Sequence, residues 1–175
     1  PPDDVSITLA PEGRSLNEML AAGEIDGFVG PRWPHCFSER HPHVGRLFAD
    51  SQTVATEWYK QRQIFPIMHV LGVRRSLAEQ HPWLPGALLK AFSQSKAIAS
   101  AALADTSATK VTMPFVEDTL RLADQLKPNI WSYGVAGNEH VLEAFLTAHH
   151  FQGLSPRKLE VSELFHPASY EGYSL

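Results

Sequence analysis

One ionisable side chain sits inside an otherwise apolar run, His69 in Ile64-Phe65-Pro66-Ile67-Met68-His69-Val70-Leu71-Gly72-Val73. An imidazole changes charge near neutral pH, so a histidine in such a place is either a hydrogen-bonded core residue or a site residue. Residues 30–42, Gly-Pro-Arg-Trp-Pro-His-Cys-Phe-Ser-Glu-Arg-His-Pro, gather a second set of reactive groups: Arg32, Trp33, His35, Cys36 and Arg40. Cys36 beside His35 is a poor nucleophile–base pair, because sequence neighbours seldom reach the geometry such a pair needs. The remaining histidines invite a metal reading through His41 with His43, His149 with His150, and His140 with Glu143. Neither His pair has the His-x-x-x-His spacing that sets two imidazoles on one helix face, and adjacent residues of a helix point about 100° apart, whereas His140 and Glu143, three apart, can face together and with a further carboxylate could bind zinc. No metal and no other cofactor is expected.

The elements that must position these groups can be read from pattern and punctuation. Residues 5–9 and 25–29 read as short strands. The run 64–75 reads as a strand buried on both faces, as in the parallel or mixed sheets of α/β proteins. Pro66 gives no N–H to a ladder, which places His69 near the start of that strand. Ser15 with Glu18 forms a capping box for a helix over 16–22 that stops at Gly23. The loop 30–42 then follows the end of a strand, where open α/β sheets bind ligands. Helices are expected over 52–61, from Pro82 or Pro85 to about 103, over 115–126, and over 139–150 with Asn138 as N-cap and Gly153 as stop. Short helical turns are expected at 77–81 and 162–165, with an irregular tail after them.

The chain has 175 residues, 43% hydrophobic and 19% charged, with net charge −4. That suits a globular protein with a real core and argues against disorder. No Lys/Arg run recommends nucleic acid or an anionic membrane surface, and no apolar stretch approaches the roughly 20 residues of a membrane helix. The first residues do not read as a signal peptide. The single cysteine rules out an internal disulfide and suits a reducing compartment. Pro1-Pro2-Asp3-Asp4 is no initiator sequence, and a strand-like run starts at once, so a preceding N-terminal portion is expected.

Three strings stand out: Leu16-Asn17-Glu18-Met19-Leu20-Ala21-Ala22-Gly23-Glu24-Ile25-Asp26-Gly27, Gly30-Pro31-Arg32, and Ile64-Phe65-Pro66-Ile67-Met68-His69. His81-Pro82-Trp83, Leu89-Lys90-Ala91-Phe92, Trp131-Ser132-Tyr133-Gly134 and Gly153-Leu154-Ser155-Pro156-Arg157 add to them. Together they resemble the C-terminal half of 4,5-dihydroxyphthalate decarboxylase-like proteins. The resemblance implies an α/β fold of the type II periplasmic-binding-protein kind, two lobes around a cleft. On it, residues 1–30 end the second lobe and 31–65 supply a cleft loop, a helix and a hinge crossing. Residues 66–175 return to the first lobe with the C-terminal helices. It also implies a partner, either the N-terminal half of the same protein or a second chain, to complete the sheets.

The activity implied is loss of CO2 from a dihydroxylated aromatic dicarboxylate. Such a reaction needs a general acid to protonate the ring carbon, a cation for the second carboxylate, and aromatic or apolar walls. On that basis His69 is the expected general acid and Arg32 the expected carboxylate clamp, with Tyr59, Phe65 and Tyr133 lining the cleft. The competing readings are a core imidazole for His69, an exposed loop arginine for Arg32, and packing aromatics for Phe65, Trp131 and Tyr133. The alternative function is a solute-binding protein for a small carboxylate or aromatic ligand, without catalysis. A cytoplasmic location goes with the enzyme and a periplasmic one with the binder.

Overall fold

The computed structural model describes residues 2, 4–105, 107 and 113–170. Eight helices appear among them: α1 (Leu16–Ala21), α2 (His35–Ser38), α3 (Ser51–Arg62), α4 (Arg75–Gln80), α5 (Leu84–Ala104), α6 (Val116–Leu126), α7 (Glu139–Phe151) and α8 (Val161–Leu164). A 3-10 turn at Pro167–Ser169 follows, and the rest of the expected tail, after Tyr170, lies outside the described residues. No described helix is long and apolar enough to cross a membrane. The chain divides into two compact units, Pro1–Glu57 and Trp58–Leu175.

The expected α/β architecture is overturned. Residues 5–9, 25–29 and 64–74 are irregular, and no strand or β-bridge occurs among the described residues. The described fold is helical, so the lobed, periplasmic-binding-protein-like sheet does not form. The physical reason is that a strand exists only as a member of a ladder. β-propensity largely measures packing against cross-strand and same-face neighbours. These runs have none, and their apolar side chains stay in solvent: Ile7 is 72% exposed, Val29 102% and Val70 70%.

In the first unit, local signals act as the sequence requires. Ser15 Oγ accepts from the Glu18 N–H at 3.2 Å, and Glu18 Oε2 accepts from the Ser15 N–H at 2.9 Å, a reciprocal box that starts α1. Gly23 ends it at φ 72°, with Gly23 N–H donating to Leu20 O and Glu24 N–H to Met19 O. α2 packs on α1, pinned by the Cys36 N–H donating to Asn17 Oδ1 at 2.8 Å, and Cys36 is the buried residue between them.

In the second unit α5 packs against α6 and the 3-10 turn, and α7 packs against α8. The buried apolar residues there are Val135, Val141, Leu142 and Leu146, on α7 and the loop before it. Pro85 near the start of α5 fits the helix's first turn, where no N–H is needed. The apolar face expected along α5 is only partly covered: Leu88, Leu89 and Ala102 are half-buried, whereas Phe92 and Ile98 are exposed. The chain exposes 14062 Å². Folded bodies of these two lengths would expose about 10000 Å² even when counted separately. Many large apolar side chains are exposed among the described residues, Leu9, Val29 and Leu47 among them.

Candidate functional site

Within the first unit, the loop expected to carry chemistry contains α2 and borders a depression of about 460 Å³ that is wide open to solvent. Trp33, Phe37, Arg40, His41 and Val44 line it. The Trp33 and Phe37 rings meet edge-on, centroids 5.0 Å apart at 76°. The Arg46 guanidinium stands 4.9 Å from the Trp33 ring and 5.8 Å from that of Phe37. α2 ends in a Schellman turn: Arg40 N–H donates to Phe37 O at 3.1 Å and His41 N–H to Cys36 O at 2.9 Å. This turn needs a left-handed residue, usually glycine, and here it is Arg40 at φ 58°. Arg32 is exposed and makes no hydrogen bond or ion pair among the described residues.

Within the second unit, two of the expected cleft aromatics, Tyr59 and Phe65, belong to one assembly with Trp131. Tyr59 and Phe65 meet edge-on at 6.1 Å, and Phe65 meets Trp131 at 5.7 Å. The loop that carries Trp131 and Tyr133 is held from two sides. Lys96 Nζ on α5 donates to Asn129 Oδ1 at 2.8 Å, to Ile130 O at 2.8 Å and to Trp131 O at 2.9 Å, and lies 5.4 Å from the Tyr133 ring. Partial burial, with a smaller contribution from Lys127, lowers the Lys96 pKa from its ordinary value. On the other side, buried Asn138 donates through Nδ2 to Ser132 O at 3.1 Å and Gly134 O at 3.0 Å. Asn138 was expected to cap α7. Its side chain makes no cap and fastens the loop instead.

His69 lies in the irregular 63–74 segment, exposed, with no hydrogen bond or ion pair among the described residues. It is not walled off by aliphatic neighbours, and it does not line the depression of the first unit. Arg32 belongs to that unit, whereas His69, Tyr59, Phe65 and Tyr133 belong to the other. Of the other histidines, His140 Nε2 bonds to Gln63 O, and its suggested partner Glu143 is taken by Lys158. His149 and His150 bond Ser155 through Oγ and O. No cluster of three metal-ligating side chains occurs among the described residues.

Sequence reasoning missed Lys96, Arg46, the loop-fastening role of the Asn138 side chain and the conformation of Arg40. A signal existed for Lys96, which stands seven residues after Leu89 and three after Ser93, on the half-buried face of α5. A cation on such a face needs acceptors. For Arg46 no local pattern points to a ring seven or more residues earlier.

No family model matches the chain. Two curated proteins are similar to it. A 4,5-dihydroxyphthalate decarboxylase of Comamonas testosteroni is 58% identical over 175 residues, 99% of this chain and 53% of that protein. A 4,5-dihydroxyphthalate decarboxylase of Pseudomonas putida is 48% identical over 59 residues, 34% of this chain and 23% of that protein. The resemblance read from the motifs therefore holds: the chain is similar throughout to a 4,5-dihydroxyphthalate decarboxylase, and spans about half the length of that relative.

Proposed function

We propose that this chain contributes to a carboxy-lyase that removes CO2 from 4,5-dihydroxyphthalate or a close analogue. The observation that carries the reading is the 58% identity to a decarboxylase of that name over 99% of the chain. A hydroxyl para to the leaving carboxylate pushes electrons into the ring. His69 gives a proton to the carbon bearing that carboxylate. The carbon–carbon bond then breaks, its electrons return to the ring, and CO2 leaves with a dihydroxybenzoate as the other product. The His69 imidazole is exposed, which leaves it accessible to a substrate. Arg32, exposed and without an ion pair among the described residues, holds the second carboxylate, and the Tyr59, Phe65 and Tyr133 rings supply an aromatic wall. No cofactor enters the scheme.

The same reading includes a covering partner. The apolar runs 5–9, 25–29 and 64–71 pack against further polypeptide, from the same protein or a second chain. Their exposure and the greater length of the relative support it. The test is incubation of the protein from its complete reading frame with 4,5-dihydroxyphthalate, following CO2 and dihydroxybenzoate. Turnover is expected. Tight binding without product would instead favour a solute-binding protein.

A further inference from the structure

His140 stood out in the sequence as a companion of Glu143, and the structure gives it a different partner. Glu143 is taken by Lys158, whereas the His140 ring bonds the carbonyl oxygen of Gln63, 77 positions back. A carbonyl only accepts, so the hydrogen of that bond is on Nε2. His140 is exposed, in the first turn of α7.

Gln63 is the joint between α3 and the segment that carries His69. Its backbone is left-handed at φ 53°. Its N–H donates to Tyr59 O at 2.7 Å and its side-chain Nε2 to Lys60 O at 3.1 Å, which closes α3. Its own carbonyl goes to His140. Among the described residues no backbone–backbone hydrogen bond involves 64–73, so the segment is held at its ends. At the far end the Arg74 carbonyl accepts from the Leu77 and Ala78 N–H groups. At the near end the Phe65 ring lies 6.1 Å from that of Tyr59 and 5.7 Å from that of Trp131. Pro66 then fixes its own φ and keeps Phe65 extended. A direction set at Gln63 is carried in this way toward His69, three residues past Pro66.

The start of α7 also holds the other side of the Phe65–Trp131 contact. Asn138, two residues before His140, donates to Ser132 O at 3.1 Å and Gly134 O at 3.0 Å. One end of one helix thus grips the Trp131 loop through Asn138 and the Phe65 segment through His140.

We propose that His140 is a positioning residue, whose bond to the Gln63 carbonyl sets where the 64–74 segment leaves α3 and so holds His69 in place to protonate the ring. The inference rests on the decarboxylase reading for what His69 does, and on this hydrogen bond for how His69 is placed.

The test is a double-mutant cycle on the protein from the complete reading frame. For His140→Leu, His140→Gln, His69→Asn and the His69→Asn/His140→Leu double variant, kcat and KM for 4,5-dihydroxyphthalate are measured well below each melting temperature. His140→Leu should lower kcat about 10- to 100-fold with KM little changed, the scale on which a displacement of about 1 Å costs a reaction. His140→Gln, whose amide N–H can reach the same carbonyl, should recover most of the loss. In the His69→Asn background His140→Leu should cost nothing further, because a residue that acts through His69 has nothing left to place. The placement itself is read from the ring Cε1–H resonance of His69 in 13C-histidine-labelled protein, assigned by its loss in His69→Asn. It should shift or broaden in His140→Leu and return in His140→Gln. Wild-type kcat in His140→Leu beside a lowered kcat in His69→Asn overturns the inference and leaves the decarboxylase reading. A full further loss in the double variant overturns it too, since a general effect on folding adds where a shared one does not. No turnover by the unsubstituted protein removes the decarboxylase reading. The resonance then decides alone: a moved signal keeps the tether, and an unmoved one overturns it.

Discussion

The Lys96 ammonium donates to the Trp131 carbonyl at 2.9 Å, and Trp131 holds a left-handed backbone at φ 55°. A tryptophan in that conformation is strained, and something must hold it there. Lys96 does so while also bonding Ile130 O and Asn129 Oδ1, so all three of its protons have acceptors. The aromatic assembly of Tyr59, Phe65 and Trp131 thus depends on a cation supplied by α5.

Lys96→Met keeps the apolar stem and removes the donors. It should destabilise the protein by about 1.5–3 kcal/mol. Thermal unfolding checks this, with near-UV circular dichroism reporting loss of the fixed Trp131 environment. Lys96→Arg should recover only part, since a planar guanidinium cannot aim three protons as an ammonium does. A wild-type melting curve for Lys96→Met contradicts the role.

Gly134 has two reasons to be glycine. Its φ is 85°, and a Cβ there would lie 2.9 Å from the Ser169 carbonyl oxygen. The next residue's N–H donates to that same oxygen at 2.7 Å, from Val135, so the oxygen cannot retreat without loss. Gly134→Ala should cost about 1–3 kcal/mol, read as a lowered denaturant midpoint. A midpoint within error of wild type would show that the loop shifts freely.

The Arg157 guanidinium makes a two-pronged pair with Glu163, at 2.5 Å and 2.9 Å. With a further bond from the Glu160 N–H, it holds the Glu163 carboxyl down at about 2. A depressed folded pKa stabilises above the ordinary carboxylate range, and the benefit is lost as pH falls from about 4.5 toward about 2. The charges are exposed, so salt should weaken the effect. Melting temperature against pH should therefore fall less steeply over that window in Glu163→Gln than in wild type. Parallel curves for the two proteins contradict the assignment.

What could be read from the sequence was whatever depends on near neighbours. Ser15 with Glu18, the stops at Gly23 and Gly153, Pro85 in the first turn of α5, and the positions of α3, α6 and α7 all follow from bonds within one helix or its ends. The runs 5–9, 25–29 and 64–75 failed as strands because their outcome depends on a partner that the pattern presumes and cannot supply. The site divides in the same way. The aromatic content of the 130–134 loop and the polar richness of the 30–42 loop were legible. That the side chain of Asn138, at the N-cap of α7, would grip Ser132 and Gly134, and that Lys96 would reach across 33 to 35 positions, were not. Long-range acceptors leave no trace in local spacing.

The proposed proton donor to the ring is His69. The direct measurement is kcat for 4,5-dihydroxyphthalate across pH, wild type against His69→Asn, which keeps a hydrogen-bonding side chain but cannot donate a proton as an acid. The prediction is a fall of about 10²–10⁴-fold with the pH dependence altered and KM little changed. A kcat equal to wild type at every pH would contradict it.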